Sequence, residues 1–377
     1  MMKVVVCATF FVGAGGPLAG QTFRAADSIV ASGIQRGIYP GAVLIIGRKE
    51  SVRHSRGFGH LTWNPNSPQP SPDSTLWDLA SLTKVVGTTA AVMRLVADHR
   101  IDLFAPVVRY LPRFTGGGKE RVTVRQLLDH TSGLPSYVEF FRLTSTRDSA
   151  IDLLYRTPLR RAPGTGVEYS DLNFMLLGVL VESVTAEPLE RFVGEAVLQP
   201  AGMTSTGYHL GDSAAQRTAP TGQWRGHPIC CRVNDQNAAR MGGAAGHAGL
   251  FSTGADLSRY ARLWMNDGLL DGRRVFEAST VHQFLAPDSA AATRLLGWER
   301  PDPGNRDDSA YGHLLSPNAF GHTGWTGTLL WIDPDRDLFL ILLVNRSYAP
   351  RMGRSIRALR AIRGALADAV VQETDRP

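Results

Sequence analysis

The chain of 377 residues is 43% hydrophobic and 20% charged, which is the composition of a folded globular protein and excludes wholesale disorder and collagen-like repeats. Its length is compatible with two or three domains, or with one large domain that carries an insert. Three cysteines without a C-x-x-C pair exclude a disulfide scaffold and a zinc site built on paired cysteines.

The formal net charge is +6 at pH 7, and arginine supplies most of the positive charge. Among the 40 basic residues the lysines are Lys3, Lys49, Lys84 and Lys119. A basic chain raises the question of a nucleic-acid partner, but most arginines stand singly among acidic residues, and we expect no such partner. One row of arginines has a spacing of three: Arg351, Arg354, Arg357, Arg360 and Arg363. We interpret this row as the solvated face of a last helix, with weak contact to an anionic surface as the alternative.

The N-terminus has the pattern of a secretory leader. A single lysine precedes about 11 apolar residues, and small residues follow, which predicts a signal peptide over 1–20 with cleavage near Ala19 or Gly20. A misassigned start or a buried first strand is the alternative. No apolar run of about 18 residues follows, so we expect no stable membrane insertion after leader removal. A periplasmic or secreted protein is the resulting expectation.

Helices and strands are predicted at both ends of the chain. The apolar spacing predicts a helix over 25–36, a buried strand over 42–48 and a partner strand over 52–61. Near the C-terminus we predict strands over 327–332 and 338–344, joined by a hairpin turn, and a closing helix over 355–371.

The middle of the chain is predicted to be helical. The segment 77–97 is apolar on most faces and is therefore expected at the centre of the molecule. Further helices are predicted over 123–128, 149–155, 176–184 and 189–198. Strands at both ends with helices between them predict one sheet and a helical insert. We expect a single domain over 21–377, with an α/β part at about 21–75 and 295–377 and a mostly helical part at about 76–294.

Ser81-Leu82-Thr83-Lys84 lies in the first turn of the predicted central helix. Residues i and i+3 share one helix face, so the Lys84 amine can approach the Ser81 hydroxyl. A serine hydroxyl is a weak nucleophile and needs a neighbouring base, and lysine can serve because desolvation lowers its pKa. An incidental lysine extended along a packed helix is the structural alternative.

Two more segments carry residues suited to catalysis: Tyr169-Ser170-Asp171-Leu172-Asn173 and Gly321-His322-Thr323-Gly324-Trp325-Thr326-Gly327. A tyrosine near a serine–lysine pair can relay a proton once a cation lowers its pKa. Glycines let a strand approach a ligand closely, and the Trp325 N–H can complete an oxyanion hole. A core tyrosine and a glycine-rich strand edge are the structural alternatives.

Together the three segments resemble the serine beta-lactamase and penicillin-recognising family, with its S-x-x-K, Y-x-N and K-T-G or H-T-G motifs in that order. Other stretches resemble the class C branch, among them residues 102–107, 127–135, 200–203 and 246–253. The resemblance covers about residues 25–370. It implies a beta-lactamase/transpeptidase-like α/β (α+β) fold, with a mostly antiparallel sheet flanked by helices and a helical subdomain.

The resemblance also implies roles for individual residues. Ser81 would be acylated, Lys84 would activate it, and Tyr169 would pass the proton to the leaving group and then activate water. Whether Lys84 or Tyr169 is the base stays open. The substrate side would consist of His322, Thr323 and Gly324, with the N–H groups of Ser81 and Trp325 as the oxyanion hole.

Two positions depart from the family pattern. Asp171 stands where these enzymes commonly have asparagine, and a carboxylate cannot donate to a substrate amide and repels a substrate carboxylate. His322 replaces the lysine of beta-lactamases, as in carboxypeptidase and esterase relatives. Both departures favour esterase or peptidase activity over antibiotic hydrolysis.

The sequence therefore predicts a serine hydrolase that forms an acyl-enzyme without metal or cofactor. Its substrate would be a small ester, a D-amino-acid amide or peptide, or a beta-lactam. The alternative is a slowly deacylating penicillin- or peptidoglycan-binding sensor without significant turnover. The oligomeric state is left open.

Overall fold

The computed structural model describes residues 22–375 except 225–226, 289–290, 292, 303, 305–308 and 350–354. The predicted leader, 1–20, lies outside the described residues, as do Arg351 and Arg354 of the arginine row. The strands are β1 (Gly41–Gly47), β2 (Val52–Gly59), β3 (Trp77–Asp78), β4 (Gly222–Trp224), β5 (His227–Ile229), β6 (Phe251–Ser252), β7 (Leu269–Leu270), β8 (Arg273–Arg274), β9 (Phe320–Thr323), β10 (Leu329–Asp333) and β11 (Leu338–Val344).

The α-helices are distributed along the whole described chain. They are α1 (Arg24–Gln35), α2 (Ala90–Ala97), α3 (Val124–Leu128), α4 (Phe140–Leu143), α5 (Arg147–Arg156), α6 (Asp171–Thr185), α7 (Leu189–Val193), α8 (Gln236–Arg240), α9 (Gly254–Met265), α10 (Ala278–Leu285) and α11 (Ile356–Thr374). Two π-helical segments, Lys84–Thr89 and Gly194–Leu198, adjoin α2 and α7.

The main sheet has five antiparallel strands in the order β2-β1-β11-β10-β9, so both ends of the chain contribute to it. Strands β1 and β11 are buried along their whole length, because they lie inside the sheet and both of its faces are covered. Strand β2 is an edge and is mostly exposed. The predicted strands near both termini and the mostly antiparallel sheet are confirmed.

The two faces of the sheet belong to two hydrophobic cores. Alternate residues of β1 point to opposite faces, as the period of a strand requires. Leu44 packs in the core that contains α1 and α11, whereas Val43 and Ile45 belong to the larger core of the helical region. A residue in one core can therefore affect a group in the other core only through the sheet backbone or around the ends of the sheet.

The predicted helix over 77–97 is wrong at its start. Trp77 and Asp78 form β3, which pairs with β6, and Ala80 then adopts a left-handed backbone with φ of 48°. Helical turns begin only at Leu82. The apolar pattern is that of a buried segment, and a short buried strand has the same pattern as a buried helix.

The interpretation of the arginine row as a solvated face is also wrong in part. Arg357 and Arg360 are exposed on α11, but Arg363 is 2% exposed. A spacing of three drifts around a helix of 3.6 residues per turn, so the last residue of the row reaches the buried side.

Among the described residues, no single helix is long and apolar enough to cross a bilayer. Within the same part of the chain, one bent pair meets the criterion by length and composition: α6 with Leu189–Leu198, at 82° to each other.

Candidate active site

Ser81 follows a sharp turn between β3 and the central helical segment. The Ala80 N–H donates to the Asp78 carboxylate at 2.8 Å, and this bond holds the left-handed residue. A non-glycine residue in this conformation costs on the order of 1 kcal/mol or more and marks a position that its surroundings constrain. The turn leaves Ser81 half-buried rather than covered.

Ser81 is in hydrogen-bond contact with both partners that the sequence assigns to it. The Lys84 Nζ lies 2.8 Å from the Ser81 Oγ, and the Tyr169 hydroxyl lies 2.9 Å from the same oxygen. Lys84 is fully buried, and its Nζ also donates to the His247 carbonyl at 3.2 Å. A π-helical segment begins at Lys84, and such segments are frequent at functional sites.

Asp171, the first residue of α6, forms an ion pair with Lys84 at 2.7 Å. Burial by itself lowers the pKa of Lys84, but the charges and hydrogen bonds of Asp171 and Tyr169 outweigh it, and the net result is a raised pKa. Desolvation thus acts in the expected direction, but the expectation of a net lowered pKa for Lys84 is wrong. Lys84 is an ammonium group at neutral pH and is balanced by a carboxylate.

Tyr169 is enclosed by rings and charges. The His130 ring lies 4.7 Å from the Tyr169 ring, and the Arg294 guanidinium lies 5.1 Å from its centroid. Burial raises the pKa of Tyr169, and the Lys84 charge opposes this only in part. The resting side chain is a phenol that can donate its proton.

His130 is a residue that the sequence did not assign to the site. Burial holds its pKa well below the usual value, so the ring is neutral, and its Nδ1 accepts from the Ser170 N–H at 3.1 Å. The ring therefore anchors the start of α6 beside Tyr169. The Arg294–Glu299 ion pair, at 2.7 Å, could not be assigned to the site from the sequence either, because neither residue belongs to a recognisable motif.

His322 lies on β9, with its ring centroid 5.8 Å from that of Tyr169. Its side chain is 1% exposed, and burial lowers its pKa to about 4, so the ring is neutral at pH 7. The neutral ring offers no positive charge to a substrate, but it can still form a hydrogen bond with one. Thr323 is half-buried at the end of the same strand.

Gly324 brings the end of β9 against the turn that precedes Ser81. A Cβ added to it would lie 2.6 Å from the Leu79 carbonyl oxygen and 3.3 Å from the Ala80 Cβ, so only glycine permits this approach. Trp325 follows and is 60% exposed. Two threonines fasten the segments together, since Thr326 and Thr328 donate to the carbonyls of Asp78 and Leu79.

Two backbone donors lie on these apposed segments. In the part of the chain that the structure describes, the N–H groups of Ser81 and Trp325 donate to no protein acceptor. Unused N–H groups beside a nucleophile can stabilise the negative charge that develops on an attacked carbonyl oxygen. Within the same described ranges, no group of three or more His, Cys, Asp or Glu side chains is arranged to hold a metal ion.

Comparison with known proteins places this chain in a family. The Beta-lactamase family model matches residues 26–365. An N-acetylmuramyl-L-alanine amidase of Bacillus subtilis (strain 168) is 31% identical over 364 residues, covering 88% of this chain and 82% of the relative. A protein of Escherichia coli (strain K12), provisionally named a D-alanyl-D-alanine carboxypeptidase, is 30% identical over 346 residues, covering 83% and 80%.

The fold matches solved structures as well. EstCE1, described as a hydrolase with promiscuous acyltransferase activity, superposes with a TM-score of 0.72 at 21% identity, over 91% of this chain and 98% of that one. This likeness confirms the predicted fold class, and the family match confirms the resemblance drawn from the three motifs. The chain belongs to the Beta-lactamase family and is a beta-lactamase-related serine hydrolase.

Proposed function

We propose that the protein hydrolyses small esters and D-amino-acid amides or peptides through an acyl-enzyme on Ser81, and beta-lactams less readily. The observation that carries the proposal is the contact of one hydroxyl, Ser81, with both Lys84 and Tyr169 beside two unused N–H donors. The names of the amidase and carboxypeptidase relatives support amide and peptide chemistry.

In the acylation step, the Lys84–Asp171 pair takes up the serine proton. As the Ser81 oxygen bonds to the substrate carbonyl carbon, its proton passes to the Lys84 Nζ, which releases another proton to Asp171 across the 2.7 Å ion pair. Tyr169 donates its phenolic proton to the leaving oxygen or nitrogen as the scissile bond breaks. The N–H groups of Ser81 and Trp325 stabilise the oxyanion in between.

In the deacylation step, the same groups return to their starting states. Tyr169, now a phenolate beside the Lys84 cation, takes a proton from the water that attacks the acyl carbon. The Ser81 oxygen regains its proton from Lys84, and Lys84 regains its own from Asp171. Every proton is accounted for without an external acid or base.

Two features support ranking esters and amides above beta-lactams, which carry a carboxylate near the scissile bond, and the same argument favours peptides whose leaving residue has no free carboxylate. The neutral, buried His322 supplies no positive charge at the substrate strand. The Lys84 charge is balanced by Asp171, whose carboxylate is itself half-buried beside the nucleophile. A carboxylate-bearing substrate therefore meets no unbalanced cation at these positions.

We also propose that the protein acts in the periplasm or after secretion. The leader pattern over 1–20 supports this location, and peptidoglycan-directed names among the relatives fit it.

The nucleophile is tested by intact-mass spectrometry after exposure to a fluorophosphonate. The wild type should gain the mass of one adduct, and Ser81→Ala should gain none, because among the described serines only Ser81 contacts both an amine and a phenol. Ser183→Ala, which removes an exposed serine of α6, is the matched control and should label fully. Full labelling of Ser81→Ala means that the nucleophile is elsewhere.

The relay is tested with Asp171→Asn. Without the carboxylate the raised pKa of Lys84 falls, but the amine must lose its proton to solvent before it can act. Ester acylation at pH 7 should drop about 10²-fold, the low end of what general base catalysis contributes, and should rise about tenfold per pH unit near neutrality. Stopped-flow rates from pH 6 to 9 measure this. An unchanged rate and pH profile would exclude the relay, and Asp152→Asn, at an exposed ion pair, is the control.

Steady-state turnover distinguishes a hydrolase from a slowly deacylating sensor. With p-nitrophenyl acetate we expect an initial burst followed by steady release of nitrophenol, with a higher kcat/KM than for nitrocefin. A stoichiometric burst followed by no release with either compound favours the slowly deacylating sensor. A higher kcat/KM for nitrocefin contradicts the ranking of substrates.

Location is tested by expressing the full chain and sequencing the N-terminus of the product in each cell fraction. The mature protein should begin next to Ala19 or Gly20 and be found outside the cytoplasm. Phe10→Arg, which places a charge in the apolar stretch, should retain the unprocessed chain inside. Unprocessed wild type confined to the cytoplasm refutes the location.

A further inference from the structure

A buried arginine lies behind the substrate strand. Arg363, on α11, donates from its Nη2 to the carbonyl oxygens of Gly324 and Thr328, both at 2.8 Å. In the described part of the chain no carboxylate lies within ion-pair distance of it. Glu299 attracts this charge only from a longer distance, and a buried charge without a carboxylate in contact is costly, so a role in folding alone is a poor account of it.

The position of Arg363 relates it directly to the predicted oxyanion hole. The Gly324 carbonyl and the Trp325 N–H belong to one planar peptide unit, and in a trans peptide the two groups point in opposite directions. No cis peptide bond occurs in the described residues. Whatever holds this carbonyl therefore also sets the direction of the Trp325 N–H.

The direction of the Trp325 N–H can be related to the two faces of the sheet. Helix α11 packs in the core on one face, with Ile362 and Leu366 as neighbours of Arg363 in the chain. The segment that leads into Ser81 packs in the core on the other face, through Leu79 and Leu82. A carbonyl held toward α11 consequently directs its partner N–H toward the side of the nucleophile.

We infer that Arg363 is a positioning residue for the oxyanion hole, which orients and polarises the Gly324–Trp325 peptide so that the Trp325 N–H faces the attacked carbonyl. The inference rests on the proposed function, because it presupposes an acyl-enzyme on Ser81. A hydrogen bond from a charged donor is about twice as strong as a neutral one, and a carbonyl polarised in this way makes its peptide N–H a better donor. Burial lowers the pKa of Arg363 to about 9, which still leaves the guanidinium charged at neutral pH.

The neighbouring Arg346 shows why the effect is specific to one peptide. Its Nη2 donates to the Trp325 carbonyl at 2.6 Å, which orients the N–H of Thr326 rather than that of Trp325. Each of two consecutive peptide units of the turn is thus held by its own guanidinium. The Arg363 contact acts on the Gly324–Trp325 unit, whose N–H is one of the two proposed oxyanion donors.

The test compares Arg363→Gln and Arg363→Lys with Arg360→Gln, an exposed change one turn earlier on α11. Each protein is acylated with 4-nitrophenyl cinnamate labelled with ¹³C at the carbonyl, and infrared difference spectra record the ester C=O stretch of the acyl-enzyme. In Arg363→Gln the stretch should move to higher wavenumber, because the carbonyl loses hydrogen bonding. The kcat for p-nitrophenyl acetate should fall about 10²-fold with a much smaller change in KM, as for removal of one oxyanion donor.

Arg363→Lys keeps the charge and should restore part of both signals, whereas Arg360→Gln should match the wild type. If Arg363→Gln and Arg363→Lys both acylate and retain the wild-type stretch, the inference is overturned, whatever their stability in urea. If Arg363→Gln does not fold, the ester C=O stretch of the Arg363→Lys acyl-enzyme is the deciding measurement: a shifted stretch supports the inference, and the wild-type stretch overturns it. If the wild type forms no acyl-enzyme, the proposed function fails, and that outcome is distinct from a wild-type acyl-enzyme whose stretch does not respond to Arg363.

Discussion

The site depends on a charge that has no access to water. Lys84 is completely buried, and an isolated ammonium group in such a place would lose its proton. Asp171, the Ser81 hydroxyl and the His247 carbonyl replace its hydration. The consequence is chemical as well as structural, since two of these groups, Asp171 and the Ser81 hydroxyl, are also those with which Lys84 exchanges protons in the proposed mechanism.

This constraint explains why several distant segments must meet. Asp171 comes from the first turn of α6, and His130 anchors that turn through the Ser170 N–H. His247 follows α8. Its ring forms a hydrogen bond with the Asp235 carboxylate at 2.9 Å, and its backbone carbonyl accepts a hydrogen bond from the Lys84 Nζ. Each contact satisfies a polar group inside a tightly packed interior, so a change at one position is felt at the others.

The turn after β9 depends on two further buried cations. Arg363 and Arg346 hold consecutive carbonyls of the turn after β9, while Thr326 and Thr328 tie the same turn to the segment that carries Ser81. The proposed oxyanion donor at Trp325 is thereby held by contacts from both faces of the sheet.

Much of the site was predictable from the sequence, because its chemistry is concentrated in short motifs. Ser81, Lys84 and Tyr169 were assigned from motif spacing, and the structure brings the three together. The contact of Asp171 was not predictable. From the sequence its carboxylate was expected to face the substrate, whereas in the structure it lies 2.7 Å from the Lys84 Nζ. Arg294 and Glu299 carry no motif, and only their position beside Tyr169 relates them to the site.

The sequence by itself determined the strands at the two ends of the chain, the helical middle and the order of the three motifs, because apolar periodicity and glycine spacing are local properties. The tertiary structure alone decided that Trp77 and Asp78 form a strand, that Lys84 keeps its charge and that Arg363 is buried. The physical reason is the same in each case. Strand pairing, pKa and burial are set by groups that are far away in the chain, and no local pattern records which of them will be neighbours.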